Sequence, residues 1–193
     1  LVSNYSDEWG GKGFHFNVGN IEHLRINKSQ SSVFIADYLK LSKQSNLIKK
    51  FAQNNDDDVI RYTHSIHNQH ILGSEVVAHF DGDILKGFNG IIYNPMIELP
   101  IIEPEEAKQI AIEFSGGSVF NWQIEEEEAM IKLWTEDSLA TYDPTPELIY
   151  VPQDLDFSKE FSLCYGMEIN AVEPLIKKNI YIHALTGDVW AYE

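Results

Sequence analysis

Three histidines, His64, His67 and His70, form the densest group of side chains in the sequence that could do chemistry. Imidazole nitrogens are common zinc ligands, so these residues are the sharpest candidates for a metal site. On an extended strand, however, a spacing of three residues alternates faces, and His64 and His70 would point one way and His67 the other. Asn68 and the β-branched neighbours favour strand and turn. We therefore expect surface or hairpin histidines rather than metal ligands.

The motifs of the common hydrolases are absent from the sequence. It contains no His-Glu-x-x-His, no Gly-x-Ser-x-Gly and no glycine-rich phosphate loop. The four glutamates at 125–128 indicate the charged start of a solvated helix, because carboxylates stabilise the positive end of a helix dipole. The acidic stretch at 54–58 lacks the interleaved spacing of a calcium loop and indicates a solvated turn. We expect neither catalysis, nor a cofactor, nor a bound metal.

Composition limits the partners and the size of the fold. The chain has 193 residues, enough for one large or two small domains, and 44% of them are hydrophobic. Its 14 basic and 30 acidic residues give a formal charge of −16, which argues against nucleic acid and against anionic membrane surfaces. No apolar run reaches transmembrane length. The single Cys164 excludes an intrachain disulfide, and its alternating surroundings predict a buried or half-buried structural thiol.

The stretch from Val59 to Gly90 predicts an antiparallel meander of three strands. Asp81-Gly82-Asp83 between alternating hydrophobic residues is a strong hairpin signal, because glycine accepts the positive φ of a tight turn. The third strand follows the turn and places Ile84, Lys86 and Phe88 on one face. Gly90 is expected to end this strand. Val76, Ala78 and Phe80 are predicted to share one face of the strand before the turn, and Ile60, Tyr62, His64 and Ile66 alternate along the strand upstream of it.

Ahead of this meander, residues 1–30 predict an irregular arm with one short strand. Three aromatic residues of the arm, Trp9, Phe14 and Phe16, are expected to dock onto the body, since large aromatic rings bury much area. Ser31 and Ser32 precede an apolar run and predict a capped short helix. Residues 46–51 predict a strand.

After a proline-punctuated linker between Tyr93 and Pro100, the second half predicts two helices and then four strands. Pro104 suits the first turn of a helix that ends at Ser115. A second helix should begin with the glutamates at 125–128. Strands are expected at 148–151, at 161–170, around 180–182 and at 189–192. The helices are predicted to bury Ala107, Ile110, Ala111 and Phe114 in the first and Ala129, Met130, Leu133 and Trp134 in the second.

The residue order in the meander resembles the fungalysin/thermolysin propeptide (FTP) domain of secreted zinc metallopeptidases. The chain departs from the family pattern at His64, Asn68 and His70, where the family has Gln, Gly and Pro. Asn68 should keep the turn, because Asn tolerates the left-handed conformation. The residues that carry the resemblance are Ile60-Arg61-Tyr62, Ile71, Gly73, Glu75-Val76-Val77, Asp81-Gly82 and Asn89-Gly90.

The second half is similar to the PepSY-type half of the same propeptides. The family's last strands read Val-Asp-Ala-x-Thr-Gly-Glu-Val, and this chain has His183 for the Asp and Asp188 for the Glu. Both patterns occur in the family's order and together cover roughly Ser32 to Tyr192. The matching segments are Glu105-Glu106-Ala107, Pro146-Glu147-Leu148-Ile149-Tyr150, Leu163-Cys164-Tyr165, Glu173-Pro174-Leu175 and Ile182-His183-Ala184-Leu185-Thr186-Gly187-Asp188-Val189.

The resemblance implies an α+β fold of two tandem subdomains, each an antiparallel sheet backed by one or two helices, the second cystatin-like or PepSY-like. An irregular arm at 1–30 would precede an FTP-like subdomain at 31–94 and a PepSY-like subdomain at 101–193. The implied function is that of a secreted metallopeptidase propeptide, which is an intramolecular chaperone and inhibitor of the catalytic domain. By analogy, Trp190, Tyr192 and Glu193 would contact the peptidase. The Glu193 carboxylate would either face the zinc of the peptidase or be an exposed residue with no such role.

Two alternatives stay open at this point. The first is a free-standing peptidase inhibitor or binding module of the same fold. The second is a metal-dependent enzyme or metal-binding protein that uses His64, His67 and His70.

Overall fold

The computed structural model describes residues 13–50 and 58–193, and within them the chain forms three α-helices and ten β-strands. This confirms the α+β class. The chain divides into two compact units. The N-terminal unit comprises Leu1–Ile97 with Phe157–Glu160, and the C-terminal unit comprises Glu98–Asp156 with Phe161–Glu193. The predicted docking of Trp9 and all of the predicted turn at 54–58 except Asp58 lie outside the described residues.

The N-terminal unit contains strands β1 Gly13–Val18, β2 Ser45–Lys49, β3 Val59–Ile66, β4 Gln69–Asp81 and β5 Ile84–Tyr93, and helix α1 Ser31–Tyr38. The strands form an antiparallel sheet in the order β1-β5-β4-β3-β2. β1 pairs with β5 along its whole length, and Phe16 on β1 is buried while Phe14 is exposed. The described part of the predicted arm therefore supplies a strand to this sheet.

The predicted meander of β3, β4 and β5 is confirmed, and Gly82 in its turn has a φ of 58°. A bulge after His79 shifts the register of β5, so that Leu85 lies opposite Phe80 while Phe88 lies opposite Ala78. Leu85 and Phe88 therefore enter the core in place of a regular 84, 86, 88 alternation. The alternating residues of β3 and β4 are all buried: Ile60, Tyr62, His64, Ile66, Val76, Ala78 and Phe80.

Gly90 does not end β5, contrary to the prediction from sequence. It lies inside the strand, paired with Phe16 on one side and Val76 on the other. A Cβ atom at this position would collide with the backbone carbonyl of Glu75. The glycine is therefore explained by close approach of two backbones, a use of glycine that a turn signal in the sequence cannot distinguish.

Helix α1 forms where it was predicted, but its serine does not cap it. The N-cap is Gln30, and Ser31 is the first helical residue. The Ser31 hydroxyl donates to the carbonyl of Lys28 (2.7 Å) and accepts from the hydroxyl of Tyr62 (2.6 Å). This serine is buried and ties the helix to β3. Ile35 is fully buried and is part of the hydrophobic core of the unit.

The C-terminal unit contains helices α2 Pro104–Ser115 and α3 Glu125–Thr135, and strands β6 Val119–Phe120, β7 Glu147–Pro152, β8 Phe161–Glu173, β9 Leu175–His183 and β10 Val189–Tyr192. Strands β7, β8, β9 and β10 are antiparallel neighbours in that order, and β6 pairs with β8. The predicted order of helices and strands is confirmed, with the two-residue β6 added.

Helix α2 ends as the sequence predicts, with Gly116 at the C-cap and a φ of 78°. Of its predicted stripe, Ala107 and Ala111 are fully buried, whereas Ile110 is half-buried and Phe114 is exposed. The long strand β8 buries both faces over its first half, so Cys164 is fully buried, as predicted for a structural thiol.

Helix α3 forms as predicted, but the residues expected to face inward do not. Met130, Leu133 and Trp134 are 40%, 74% and 68% exposed, Ala129 is also exposed, and the helix buries no residue. The half-buried side of α3 carries Ile131 instead. The spacing at i, i+3 and i+4 correctly places Met130, Leu133 and Trp134 on one side of α3. The spacing does not show whether the rest of the chain covers that side.

Candidate functional site

The three histidines do not meet. His64 is 1% exposed near the end of β3, and its Nδ1 lies 3.1 Å from Ser74 Oγ. His67 and Asn68 form the turn into β4, with φ values of 51° and 68°, and His70 is exposed on that next strand. The prediction treated His64 and His70 as residues of one strand, but a hairpin turn separates them, and His64 is buried whereas His70 is exposed. The burial of His64 is contrary to the expected surface position.

The other candidates for chemistry have structural roles. Burial, with a smaller contribution from the carboxylate of Glu98, raises the pKa of the Cys164 thiol well above its ordinary value, which disfavours the nucleophilic thiolate. Glu128, from the acidic run, accepts hydrogen bonds from Thr141 Oγ1 (3.0 Å) and the Tyr142 amide (2.7 Å). Across the described ranges, no three His, Cys, Asp or Glu side chains gather as a metal site would require.

A cleft at the last strand contains two of the three residues implied as peptidase contacts. It has a volume of about 300 Å³ and lies in the C-terminal unit, where β10 passes a short 3₁₀ turn, Gln153–Leu155. Asp154 on that turn has a φ of 54° and Leu155 a φ of 58°. The cleft is lined by Asp154, Val189, Trp190, Ala191 and Tyr192.

Trp190 lines this cleft, and two contacts hold its ring in place. Its Nε1 donates to the carbonyl of Val151 on β7 (2.9 Å). Its indole lies 4.9 Å, centroid to centroid, from the imidazole of His183 on β9. A half-buried tryptophan whose only polar atom already has a partner presents an apolar face at little further desolvation cost.

His183 is oriented by the turn between β9 and β10. Thr186 Oγ1 donates to Asp188 Oδ2 (2.7 Å), and its single hydroxyl proton is thereby used. The contact of 3.0 Å between Thr186 Oγ1 and His183 Nδ1 therefore has the imidazole as donor. The two positions at which the chain departs from the PepSY-type pattern, His183 and Asp188, thus belong to one hydrogen-bonded turn beside Trp190.

Tyr192 and Glu193 alternate at the end of β10. The backbone of Glu193 exchanges two hydrogen bonds of 3.0 Å with Asn179 on β9, and its Oε1 accepts from the Asn179 side chain (3.3 Å). Because successive residues of a strand direct their amides to opposite sides, the N–H and C=O of Tyr192 point away from β9. The Tyr192 side chain is 57% exposed, and its ring lies 5.2 Å from that of Phe114 on α2.

β10 is the outer strand of the sheet in the C-terminal unit, since β9 is its one partner among the described strands. Its four residues, Val-Trp-Ala-Tyr, include neither proline nor lysine, and an irregularity at Trp190 interrupts its register with β9 before the regular pairing at Ala191 and Tyr192. An open edge beside a cleft with an aromatic lining can accept an extended polypeptide. Sequence reasoning singled out Trp190 and Tyr192 but missed Asp154, because no local pattern brings its turn to β10.

Comparisons with known proteins leave the family open. No family model matches the chain, and no curated protein matches it. Among solved structures, the chain is similar to the Bacillus megaterium YpeB C-terminal domain, with a TM-score of 0.38 and 16% identity over 100% of this chain and 87% of that one. At that score and identity, the similarity supports no conclusion about function. None of the helices in the described ranges has the length and hydropathy needed to span a membrane.

Proposed function

We propose that the chain is a non-catalytic polypeptide-binding protein, the propeptide of a secreted thermolysin- or fungalysin-like zinc metallopeptidase. As such it assists folding of the catalytic domain and then inhibits it. The observation that carries the proposal is β10, whose unpaired edge lies beside a cleft lined by Trp190. The ordered FTP-like and PepSY-like sequence patterns support the choice of partner.

The binding mode follows from the edge. An extended segment of the peptidase adds to β10 as a further antiparallel or parallel strand and pairs with the outward amide and carbonyl of Tyr192. A side chain of that segment enters the cleft and packs on Trp190. Main-chain hydrogen bonds supply affinity in this mode, and the cleft supplies the preference for one sequence over another.

Chaperone and inhibitor roles share one physical basis. A surface that binds the folded catalytic domain and not its unfolded chain stabilises the folded form by mass action. Covalent attachment in a precursor makes that binding intramolecular, with an effective concentration in the millimolar range for a short linker, so modest contacts suffice. Cleavage of the connection removes this advantage and allows the acidic propeptide to dissociate.

The test is inhibition of a thermolysin-like peptidase by the purified chain, measured with a fluorogenic peptide substrate. We expect inhibition, and we expect Trp190→Ala to raise the inhibition constant by about tenfold or more, as for an aromatic residue at the centre of an interface. Leu175→Ala is the matched control, because Leu175 is 89% exposed and lies at the far end of β9. Equal constants for all three proteins would contradict this placement of the surface.

Trp190→Phe refines the result, because it keeps an aromatic ring and removes the hydrogen bond to Val151. Retained inhibition by the Phe variant assigns the effect to the apolar face of the ring, and thermal unfolding of each variant confirms that the fold is intact. A catalytic turnover by the chain that one substitution abolished would overturn the proposal altogether. A free-standing inhibitor of the same fold would give the same constants. It is distinguished by the gene, since a His-Glu-x-x-His downstream of Glu193 favours the propeptide.

A further inference from the structure

Helix α3 presents an apolar stripe to solvent. Met130, Leu133 and Trp134 follow the i, i+3, i+4 spacing that places side chains on one face of a helix. They are 40%, 74% and 68% exposed, and Leu139 in the loop that follows is 86% exposed. Single exposed apolar residues are ordinary on protein surfaces, but a contiguous stripe of this kind marks an interaction site.

The stripe is not needed to hold α3 in place. On its half-buried side, Glu127 accepts from the Asn121 side chain (3.2 Å). Glu128 holds the following loop through Thr141 and Tyr142. These contacts fix the start of the helix and the return of the chain, so the stripe is presented by a helix that is ordered without it. Substitutions within the stripe should therefore leave the fold intact.

Carboxylates flank the stripe at both ends. Glu125 and Glu126 are exposed in the first turn of the helix, and Glu136 and Asp137 are exposed just after its last turn. Glu126 precedes Met130 by four residues of the helix and so lies in line with the stripe, whereas Glu136 and Asp137 follow the end of the helix. The one basic residue of the helix, Lys132, pairs with Glu128, on the other side.

We propose that this face of α3 binds a basic amphipathic helix of another polypeptide. The apolar residues of the partner would cover Met130, Leu133 and Trp134, in the manner of helix-in-groove recognition by spaced anchors. Lysine or arginine residues at the ends of that helix would pair with the flanking carboxylates, since complementary charge sets orientation and association rate. A second copy of this chain is disfavoured as occupant, because face-to-face pairing would bring the two sets of carboxylates together.

The proposal is independent of β10 and is tested by direct binding. The probe is a fluorescein-labelled synthetic helix of leucine and lysine, about 18 residues or five turns long. Fluorescence anisotropy measures its affinity for the full chain, and a leucine–glutamate helix of the same pattern is the matched probe. We expect the lysine helix to bind and the glutamate helix not to bind. Binding should weaken as salt rises, because charge pairs at a surface are screened.

Two variants separate the contributions of the stripe and its flanks. The double variant Leu133→Ser with Trp134→Ser should weaken binding by at least about tenfold, as for loss of anchor residues. The pair Glu125→Gln with Glu126→Gln should reduce the salt dependence and leave the apolar contact. Leu175→Ser is the control for an exposed leucine elsewhere. Circular dichroism of each variant verifies the fold.

Four outcomes would overturn the proposal. Equal binding of the two synthetic helices would show that charge plays no part. Equal losses in the Leu175 control would show that the stripe is not the surface used. Concentration-dependent dimerisation of the chain, detected by sedimentation and abolished by Leu133→Lys, would assign the stripe to a second copy of this chain. Absence of binding to the lysine helix would count equally against it.

Discussion

The helices α1 and α3 show how the two units use similar sequence patterns differently. Both carry aromatic and aliphatic residues. The helix α1 was predicted from the serines that precede its apolar run, and α3 from the glutamates at its start and the apolar residues that follow them. In the N-terminal unit, α1 buries Ile35 and places Phe34 and Tyr38 edge-on to Phe88, at 6.4 and 5.4 Å between ring centroids. In the C-terminal unit, α3 buries no side chain.

This difference between α1 and α3 indicates which surfaces of the molecule are candidates for binding. Apolar residues that pack inside a unit account for its stability, whereas apolar residues that remain outside require another explanation. The N-terminal unit packs Phe16, Tyr62 and Phe88 into its core and leaves Phe14 and Tyr38 partly exposed. The C-terminal unit leaves aromatic residues at an open strand edge and on an uncovered helix, and both candidate surfaces belong to it.

The largest effect is expected from the ring at the centre of the N-terminal core. Phe88→Ala removes a side chain that is 1% exposed and contacts the rings of Phe16, Phe34 and Tyr38. We expect a loss of about 3–5 kcal/mol in the free energy of unfolding, from lost burial and the cavity left behind. Urea unfolding followed by far-ultraviolet circular dichroism measures it. A loss below about 1 kcal/mol would contradict the assignment of this ring to the core.

Acid should destabilise the N-terminal unit through His64. Burial, opposed in part by a hydrogen bond with the Tyr93 backbone, lowers the pKa of this imidazole to about 4, from an ordinary value of 6.5. The unfolded chain therefore takes up a proton at a higher pH than the folded chain. Stability due to the neutral imidazole is complete above about pH 6.5 and is lost as the pH falls towards about 4, by about 3 kcal/mol.

His64→Leu isolates this contribution from that of the many carboxylates. Between about pH 7 and about pH 4, the wild type should lose about 3 kcal/mol more than the variant, in urea unfolding at each pH. His70→Leu is the matched control, because His70 is exposed on the same hairpin. Parallel pH profiles for the wild type and His64→Leu would show that this histidine is not buried in the neutral form.

The smallest effect on stability is expected on α3. Trp134→Ala should change the free energy of unfolding by no more than about 0.5 kcal/mol, because the indole is 68% exposed and contributes little buried area. The contrast with Phe88→Ala, measured by the same urea method, is the sharpest form of the comparison between the units. A loss on α3 of more than about 2 kcal/mol would mean that the stripe is part of a core.

The sequence predicted those features that depend on neighbours along the chain. The Asp81-Gly82-Asp83 hairpin, the start of α2 at Pro104 and the extended conformation of β8 follow from local backbone preferences, and the structure confirms them. Gly90 was misinterpreted because its reason is a second backbone, that of Glu75, distant in sequence. Local patterns contain no information about such approaches.

The candidate site could be predicted only in part, for the same reason. Trp190 and Tyr192 were identified through resemblance, and their strand through its apolar run. The position of Asp154 beside them, and the hydrogen bond from Trp190 to Val151, join residues that are far apart in the sequence, 39 positions in the case of the hydrogen bond. The three histidines do not form a metal site, because a turn at His67 and Asn68 reverses the chain between His64 and His70.

Hydrogen exchange at β10 tests most directly whether this edge receives a partner. In the free chain, the outward amide of Tyr192 should exchange quickly, and the amide of Glu193, bonded to Asn179, should exchange slowly. When a thermolysin-like peptidase is bound, we predict that exchange at Tyr192 slows by about tenfold or more. Inhibition of the peptidase with unchanged exchange at Tyr192 would contradict the account.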